Sequence, residues 1–202
     1  MKRLSLPQIR AVLADYGTTK SIEKPVGLRA AVSIILKPVS NDVEVLFILR
    51  ASQVGDPWSG QIAFPGGHYE DQDHSMKETA ERETREEIGI SLPEIASYLG
   101  QIAPVSATPK KTGKELTVYP FVYWLNEKHP VTRPNYEVAQ IIWGSLNGMY
   151  SGKSNTNYRF KVGEKYENFP GYDIGEQTVW GLTYRMIHIL FQTIDSSWHF
   201  HS

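Results

Sequence analysis

The sequence predicts an α/β fold. Three observations carry that prediction. Runs of strand length, rich in Val, Ile, Leu and aromatic residues, lie at Leu28 to Leu36, Val43 to Leu49 and Leu116 to Leu125. A capped helical segment lies between them, from Met76 to Ile88. A second apolar stripe at helical spacing, Met186, Ile187, Leu190, Phe191 and Ile194, lies near the other end of the chain.

In chain order, Leu6, Ile9, Val12, Leu13 and Tyr16 are helically spaced, so Leu4 to Tyr16 reads as a short N-terminal helix that Gly17 ends. Ser21 to Gly27 is a connector. The first two strand runs flank Lys37 to Asp42 and form a hairpin. Arg50 closes the second strand, and Ala51 to Trp58 is a polar loop with Gly55 and Pro57 that leads to Ser59–Pro65. Ser75-Met76-Lys77-Glu78 has the form of a capping box, in which the serine hydroxyl receives an orphan amide and the glutamate answers it. Met76, Ala80, Thr84 and Ile88 recur every four residues, and Gly89 stands where a left-handed C-terminal residue is wanted. Glu78 and Glu81 each precede an arginine by four, Arg82 and Arg85, the favourable order for pairs on a solvated helix.

Ile95 to Ala103 reads as a strand and Pro104 to Glu115 as a loop holding Lys110, Lys111 and Lys114. In Leu116 to Leu125, Pro120 points to an edge or a bulge. Glu137 to Trp143 reads as another strand, followed by a short helix near Leu146 to Tyr150. Ser151 to Ile174, with Tyr158, Phe160, Tyr166, Phe169 and Tyr172 among Lys and Glu, is a hairpin or a substrate-facing loop. Its rings either pack the hairpin or stack on an adenine. Thr178 to Thr183 leads into the last helix, Tyr184 to Ile194.

The 202 residues suffice for one well-covered core, and neither repeats nor a low-complexity tract divide them; one domain over 1–202 with a short N-terminal helical extension is expected. Hydrophobic residues at 41%, charged at 21% and a net charge of −1 describe a soluble globular chain without the basic excess of a general nucleic-acid binder. With no cysteine there are no disulfides, thiolate zinc sites or cysteine nucleophiles. No apolar run is long enough to span a bilayer, and Met1 to Gly17 has no signal-peptide pattern, so an intracellular, cytoplasmic location without membrane partners is the expectation.

The chemistry concentrates in the helix. Glu83, Glu86 and Glu87 stand at i, i+3 and i+4, so three carboxylates crowd one face. Either that face is merely solvated, or a cation sits among the three, and carboxylate oxygens suit Mg²⁺ or Mn²⁺. The three loop lysines either meet substrate phosphates as point charges or are solubilising surface. His68 and His74 lack a zinc-like context.

Phe64-Pro65-Gly66-Gly67 followed by Arg82-Glu83-Thr84-Arg85-Glu86-Glu87-Ile88-Gly89-Ile90 resembles the signature of Nudix hydrolases, R-E-x-x-E-E-x-G behind a glycine and an acid. The usual acid eight before the arginine is His74 here, with Asp73 one place earlier; the glycine pair is displaced by one as well. One extra loop residue explains both shifts. Arg50-Ala51, Gly60 and Phe64-Pro65-Gly66-Gly67 resemble the element marking the coenzyme A pyrophosphatase branch, although its second arginine is missing and Gly55 stands near that place. Phe169-Pro170-Gly171-Tyr172 and Trp180-Gly181-Leu182-Thr183 resemble the same branch.

The resemblance implies a Nudix α/β/α sandwich with a mixed, curved sheet. It implies an enzyme that uses Mg²⁺ or Mn²⁺ to cleave the diphosphate of coenzyme A or its derivatives to 3′,5′-ADP and 4′-phosphopantetheine, or of another nucleoside diphosphate such as ADP-ribose, a dinucleotide or an oxidised nucleotide. A nucleotide-binding module without turnover is the third possibility. The resemblance assigns Glu83, Glu86, Glu87 and the Gly66 carbonyl to the metal, and Arg82 to holding the carboxylates with Asp73 reaching back to it. Arg50, Gly66, Gly67, Lys110 and Lys111 fall to the substrate. The general base is a box glutamate or an acid from a distant loop, Glu115, Glu164, Glu167 or Glu176. By analogy the chain forms a homodimer through its N-terminal segment.

Overall fold

The computed structural model describes residues 3–19, 27–53, 58–107, 113, 115–126 and 130–199. Helix α1 (Leu6–Thr19) runs past Gly17, where the sequence places its end. Strands β1 (Leu28–Val39) and β2 (Asp42–Arg50) form the expected antiparallel hairpin, tightened to a turn at Ser40 and Asn41. Two strands of two and three residues follow, β3 (Ile62–Ala63) on β2 and β4 (Gly66–His68) on β1.

Helix α2 (Met76–Ile88) has the predicted bounds, with Gly89 left-handed at φ 74° behind it. Ser75 Oγ accepts from the Glu78 amide at 3.1 Å, but the Glu78 carboxylate takes the amide of His74 (2.7 Å), one residue before the cap. Glu78 and Glu81 do not pair with the arginines four residues on. Arg82 is drawn from Glu78 to the loop before the helix, and Glu81 takes Lys77 (2.6 Å) and the Tyr123 hydroxyl (3.0 Å) instead of Arg85.

The strand predicted over Ile95 to Ala103 is β5 (Ala96–Gln101), and a helical turn with Pro93 in its first positions, α3 (Leu92–Ile95), precedes it. Within the predicted loop, β6 (Val105–Ala107) pairs with β7 (Leu116–Leu125). Pro120 marks neither an edge nor a bulge of β7. It falls between the registers Gln101↔Phe121 and Val105↔Val118, where two short strands share one flank of β7 and no ladder amide is needed. β8 (Val138–Ser145) pairs with β2; Ser145 then caps α4 (Leu146–Tyr150) by accepting from the Gly148 amide at 2.8 Å.

The described strands β1 to β8 make one mixed sheet of order β3-β2-β1-β7-β5, with β4 on β1, β6 on β7 and β8 on β2. Its one parallel ladder joins β1 to β7, from Leu28↔Leu116 to Leu36↔Trp124. The aromatic segment is a hairpin, β9 (Asn155–Val162) and β10 (Lys165–Asp173), to which β11 (Thr178–Trp180) adds a third strand before α5 (Gly181–Ile194).

Strand alternation divides the core between two faces. Ile34, Leu36, Val45 and Phe47 point into one apolar cluster with Ile9 and Leu13 of α1 and Ile187, Leu190 and Phe191 of α5. Ile35, Leu46 and Ile48 point into the other, with Ala80 and Ile88 of α2. The result is an α/β/α sandwich with α2 on one side and α1 and α5 on the other. Among the described residues no helix is long and apolar enough to cross a membrane.

Candidate active site

Pro65 hands its carbonyl to the Ser33 amide (2.8 Å), which presses the chain against β1 before it continues as β4. Gly66 has φ 151°, and a Cβ there would stand 2.2 Å from the Ala31 carbonyl oxygen, so only glycine fits the backbone approach. A Cβ on Gly67 would stand 2.5 Å from the carboxylate of Glu83. The two glycines therefore let the acidic face of α2 close on the strand, and the Gly66 amide donates to Glu87 Oε2 at 2.8 Å.

Arg82 ties the loop to this face. Its Nε donates to Asp73 Oδ1 (2.8 Å) and its Nη2 to Asp73 Oδ2 (3.0 Å) and the His68 carbonyl (3.1 Å). Nη1 donates to Glu83 (3.0 Å) and Glu86 (3.2 Å). Asp73 also accepts from the Thr79 hydroxyl (2.8 Å) and the Glu70 amide (3.0 Å). Arg82, by its hydrogen bonds, holds the Asp73 carboxyl well below the usual carboxylate range against the opposing effect of burial.

The box glutamates behave oppositely. Burial, with Glu83 and Glu137 as like charges, pushes Glu87 up to about 8, although the Gly66 amide and Arg50 favour its charged form. Burial also raises Glu83, against Arg82. A face that makes its own carboxylates harder to ionise calls for positive charge, and its donors are all hard oxygens suited to Mg²⁺ or Mn²⁺. This donor set fits such an ion. In the positions they take, Glu87 is engaged with Gly66 and the other two with Arg82, and among the described residues no three acidic or histidine side chains already converge on one point.

These groups open on one cavity of about 500 Å³. Of the residues singled out from sequence, Arg50, Gly66, Gly67, His68, Glu83, Glu86 and Glu87 line it; Arg82 stands behind the carboxylates, and His74 lies outside, against Glu78. Lys110, Lys111 and Lys114 lie outside the described residues. Glu115, Glu164, Glu167 and Glu176, the distant acids considered for a general base, are not in the cavity wall.

Glu137 is in that wall, and sequence reasoning passed over it as the first residue of a strand. It arrives on a strap that crosses the end of α2: the Arg133 amide donates to the Ile88 carbonyl and the Asn135 amide to that of Glu87, both at 2.8 Å. Asn135 Oδ1 then accepts from the Glu137 amide (2.8 Å), and the Glu137 carbonyl accepts from Ala51 (2.7 Å). The Asn135-Tyr136-Glu137 turn before a strand was the available signal. Trp180, Leu182 and Thr183, which the sequence offered only through their likeness to the coenzyme A branch, are also in the wall, and Trp58, Gln61 and Met186 are among its residues that were missed.

A family model described as "NUDIX domain" matches residues 27–161. The chain is 31% identical over 157 residues to the human protein named "Mitochondrial coenzyme A diphosphatase NUDT8", a match covering 76% of this chain and 64% of that protein's length, just under two thirds. It is 28% identical over 193 residues to "Uncharacterized Nudix hydrolase NudL" of Pectobacterium atrosepticum, with 92% and 96% of the two chains covered. Among solved structures it is similar to a MutT/nudix family protein from Enterococcus faecalis (TM-score 0.59, 16% identity, 95% of this chain and 70% of that one). It is similar also to an Ap4A hydrolase from C. elegans (TM-score 0.51, 22% identity, 59% and 80%). At those identities the likeness is one of fold.

Proposed function

The chain belongs to the Nudix family of hydrolases, and from that membership we propose that it is a divalent-metal-dependent pyrophosphohydrolase acting on coenzyme A or a derivative, releasing 3′,5′-ADP and 4′-phosphopantetheine. The observation that carries this reading is the meeting, in one cavity, of Glu83, Glu86 and Glu87 with Gly66, Gly67 and Arg50. The name borne by the human relative, and by a mouse relative 30% identical over 160 residues, supports the choice of substrate.

In the proposed reaction water adds at one phosphorus of the pyrophosphate and the anhydride bond to the other phosphoryl group breaks. Glu83, Glu86, Glu87 and the Gly66 carbonyl would hold the ions, which when bound neutralise phosphate oxygens and lower the pKa of a coordinated water. Arg82, fixed by Asp73, holds Glu83 and Glu86 toward the cavity and is a positioning residue. Arg50 contributes the cavity's own positive charge to the pyrophosphate. Glu137, close enough to raise both Glu83 and Glu87, is the acid available to accept a proton from the attacking water.

The test is hydrolysis of coenzyme A with Mg²⁺ or Mn²⁺, beside ADP-ribose, diadenosine polyphosphates and 8-oxo-dGTP, with Glu87→Gln as control. Release of 3′,5′-ADP from coenzyme A ahead of the other products is expected. The second reading keeps the chemistry and moves it to another nucleoside diphosphate derivative; Gly55 near the place of the branch's second arginine favours it, and cleavage of another substrate with coenzyme A untouched would establish it. Nucleotide binding without any turnover would overturn both.

A further inference from the structure

The match to the family ends at residue 161, within β9, but the cavity wall does not: Trp180 belongs to β11, and Leu182, Thr183 and Met186 to the first turns of α5. The carboxylates stand on the helix covering one face of the main sheet, and this second wall stands on elements covering the other. Its chemistry is different. Two indoles, Trp58 and Trp180, lie with Ile62, Leu182 and Met186, and the Thr183 hydroxyl donates into the Ile62 carbonyl at 3.0 Å. Such a wall offers flat apolar area and few free donors, which suits a planar uncharged ring.

Trp180 is held by three other rings. Its ring centroid lies 4.6 Å from that of Tyr158 at an interplanar angle of 21°, 4.7 Å from Phe160 at 40° and 5.6 Å from Phe169 at 43°. Register explains the assembly: Phe169 is opposite Tyr158, and Gly171, two residues along β10, is opposite Trp180, so all four rings share one face of the small sheet. Tyr158, Phe160 and Phe169 do not line the cavity, whereas the half-buried Trp180 does. The part of the indole they cover is therefore not the part that faces the cavity.

We propose that Trp180 is a specificity-determining residue that stacks on the nucleobase of the substrate, with the β9–β10 hairpin as its rigid support. The proposal rests on the nucleotide-diphosphate reading above. The carboxylate wall takes the pyrophosphate and the indole wall takes the base, so the base contributes to binding without entering the bond-breaking step.

The experiment is calorimetric titration of the full chain, with Mg²⁺, by AMP and by ribose 5-phosphate, for the wild type, Trp180→Leu and Trp180→Phe. Base–aromatic stacking predicts AMP bound about tenfold more weakly by the leucine variant, with ribose 5-phosphate unchanged. The phenylalanine variant, which keeps a ring on the stack, is expected to weaken AMP by about threefold, again sparing ribose 5-phosphate, and it decides the matter if the leucine variant does not fold. Equal weakening of both ligands, or AMP binding that does not change, overturns the proposal. If wild-type protein leaves coenzyme A intact while AMP shows the Trp180-dependent difference, the coenzyme A reading falls and this one stands. If coenzyme A is cut but the variants treat both ligands alike, the reverse holds.

Discussion

Arg82 makes five hydrogen bonds, and two of them are a fork onto one carboxylate that is itself almost wholly out of water; the side chains of Arg82 and Asp73 are 10% and 2% exposed. Removing one member of a buried pair strands the other, so Asp73→Ala should cost about 3 kcal/mol in urea denaturation, at the low end for such pairs because Glu83 and Glu86 remain. Glu87 behaves in the opposite sense. Its charge is opposed by burial and by Glu83, so in metal-free protein Glu87→Gln should melt no lower than wild type, while turnover falls by at least about 100-fold. A melting temperature lowered by several degrees would contradict this. At this scale the sequence was readable where partners are set by spacing within one segment, as for Asp73 and Arg82. Glu137 was not read, because backbone amides of Arg133 and Asn135 deliver it to the end of a helix, and the turn at Asn135 marks a loop without saying what that loop reaches.

Among elements, α2 was legible to the residue because its start, stop and stripe are local chemistry: Ser75, Gly89 and a four-residue period. The strands β3, β4, β6 and β11 were not, since segments of two or three residues have no period of their own and exist only through the ladder of a partner. The shortest of them matter to the site. Gly66→Ala would force a methyl to within 2.2 Å of the Ala31 oxygen at a φ that side chains avoid, and should lower stability by about 1–3 kcal/mol, measured by thermal melting. Gly67→Ala instead meets the end of the Glu83 side chain, which can turn away; it should melt near wild type yet lose activity, because the displaced group is one of the carboxylates proposed to hold the metal. Equal melting temperatures for the two variants would refute the distinction.

At the scale of the whole molecule, α5 and the small sheet meet around His188. Its Nε2 lies 2.9 Å from the Tyr172 hydroxyl, its ring 4.0 Å from that of Tyr184, and burial pushes its pKa down to about 4 from 6.5. A histidine kept neutral in the fold binds its proton more readily when the chain is unfolded. Its contribution is therefore complete above pH 6.5 and is lost as the pH falls from 6.5 toward 4. Glu87, raised to about 8, holds its proton more readily in the fold and so adds stability as the pH falls through the same window; the His188 contribution is therefore read against the variant, and His188→Gln should lose less stability than wild type between pH 6.5 and 4. An unchanged slope in the variant would show that other groups set it.

The parallel ladder between β1 and β7 joins Leu28 to Leu116 and Leu36 to Trp124, with the glycine turn, the acidic helix and β5 all inserted between the partners. During synthesis, α2 thus emerges with its cap and stop complete and with β1 and β2 already made, but without β7, which completes the cluster it covers. The apolar residues Ala80 and Ile88 must wait for Tyr123 and Leu125 to leave the ribosome before their cluster can close. Contacts so distant in sequence close slowly. The nascent chain therefore carries its acidic helix with part of the covering cluster still missing while the 37 residues from Gly89 to Leu125, under a fifth of its length, are translated.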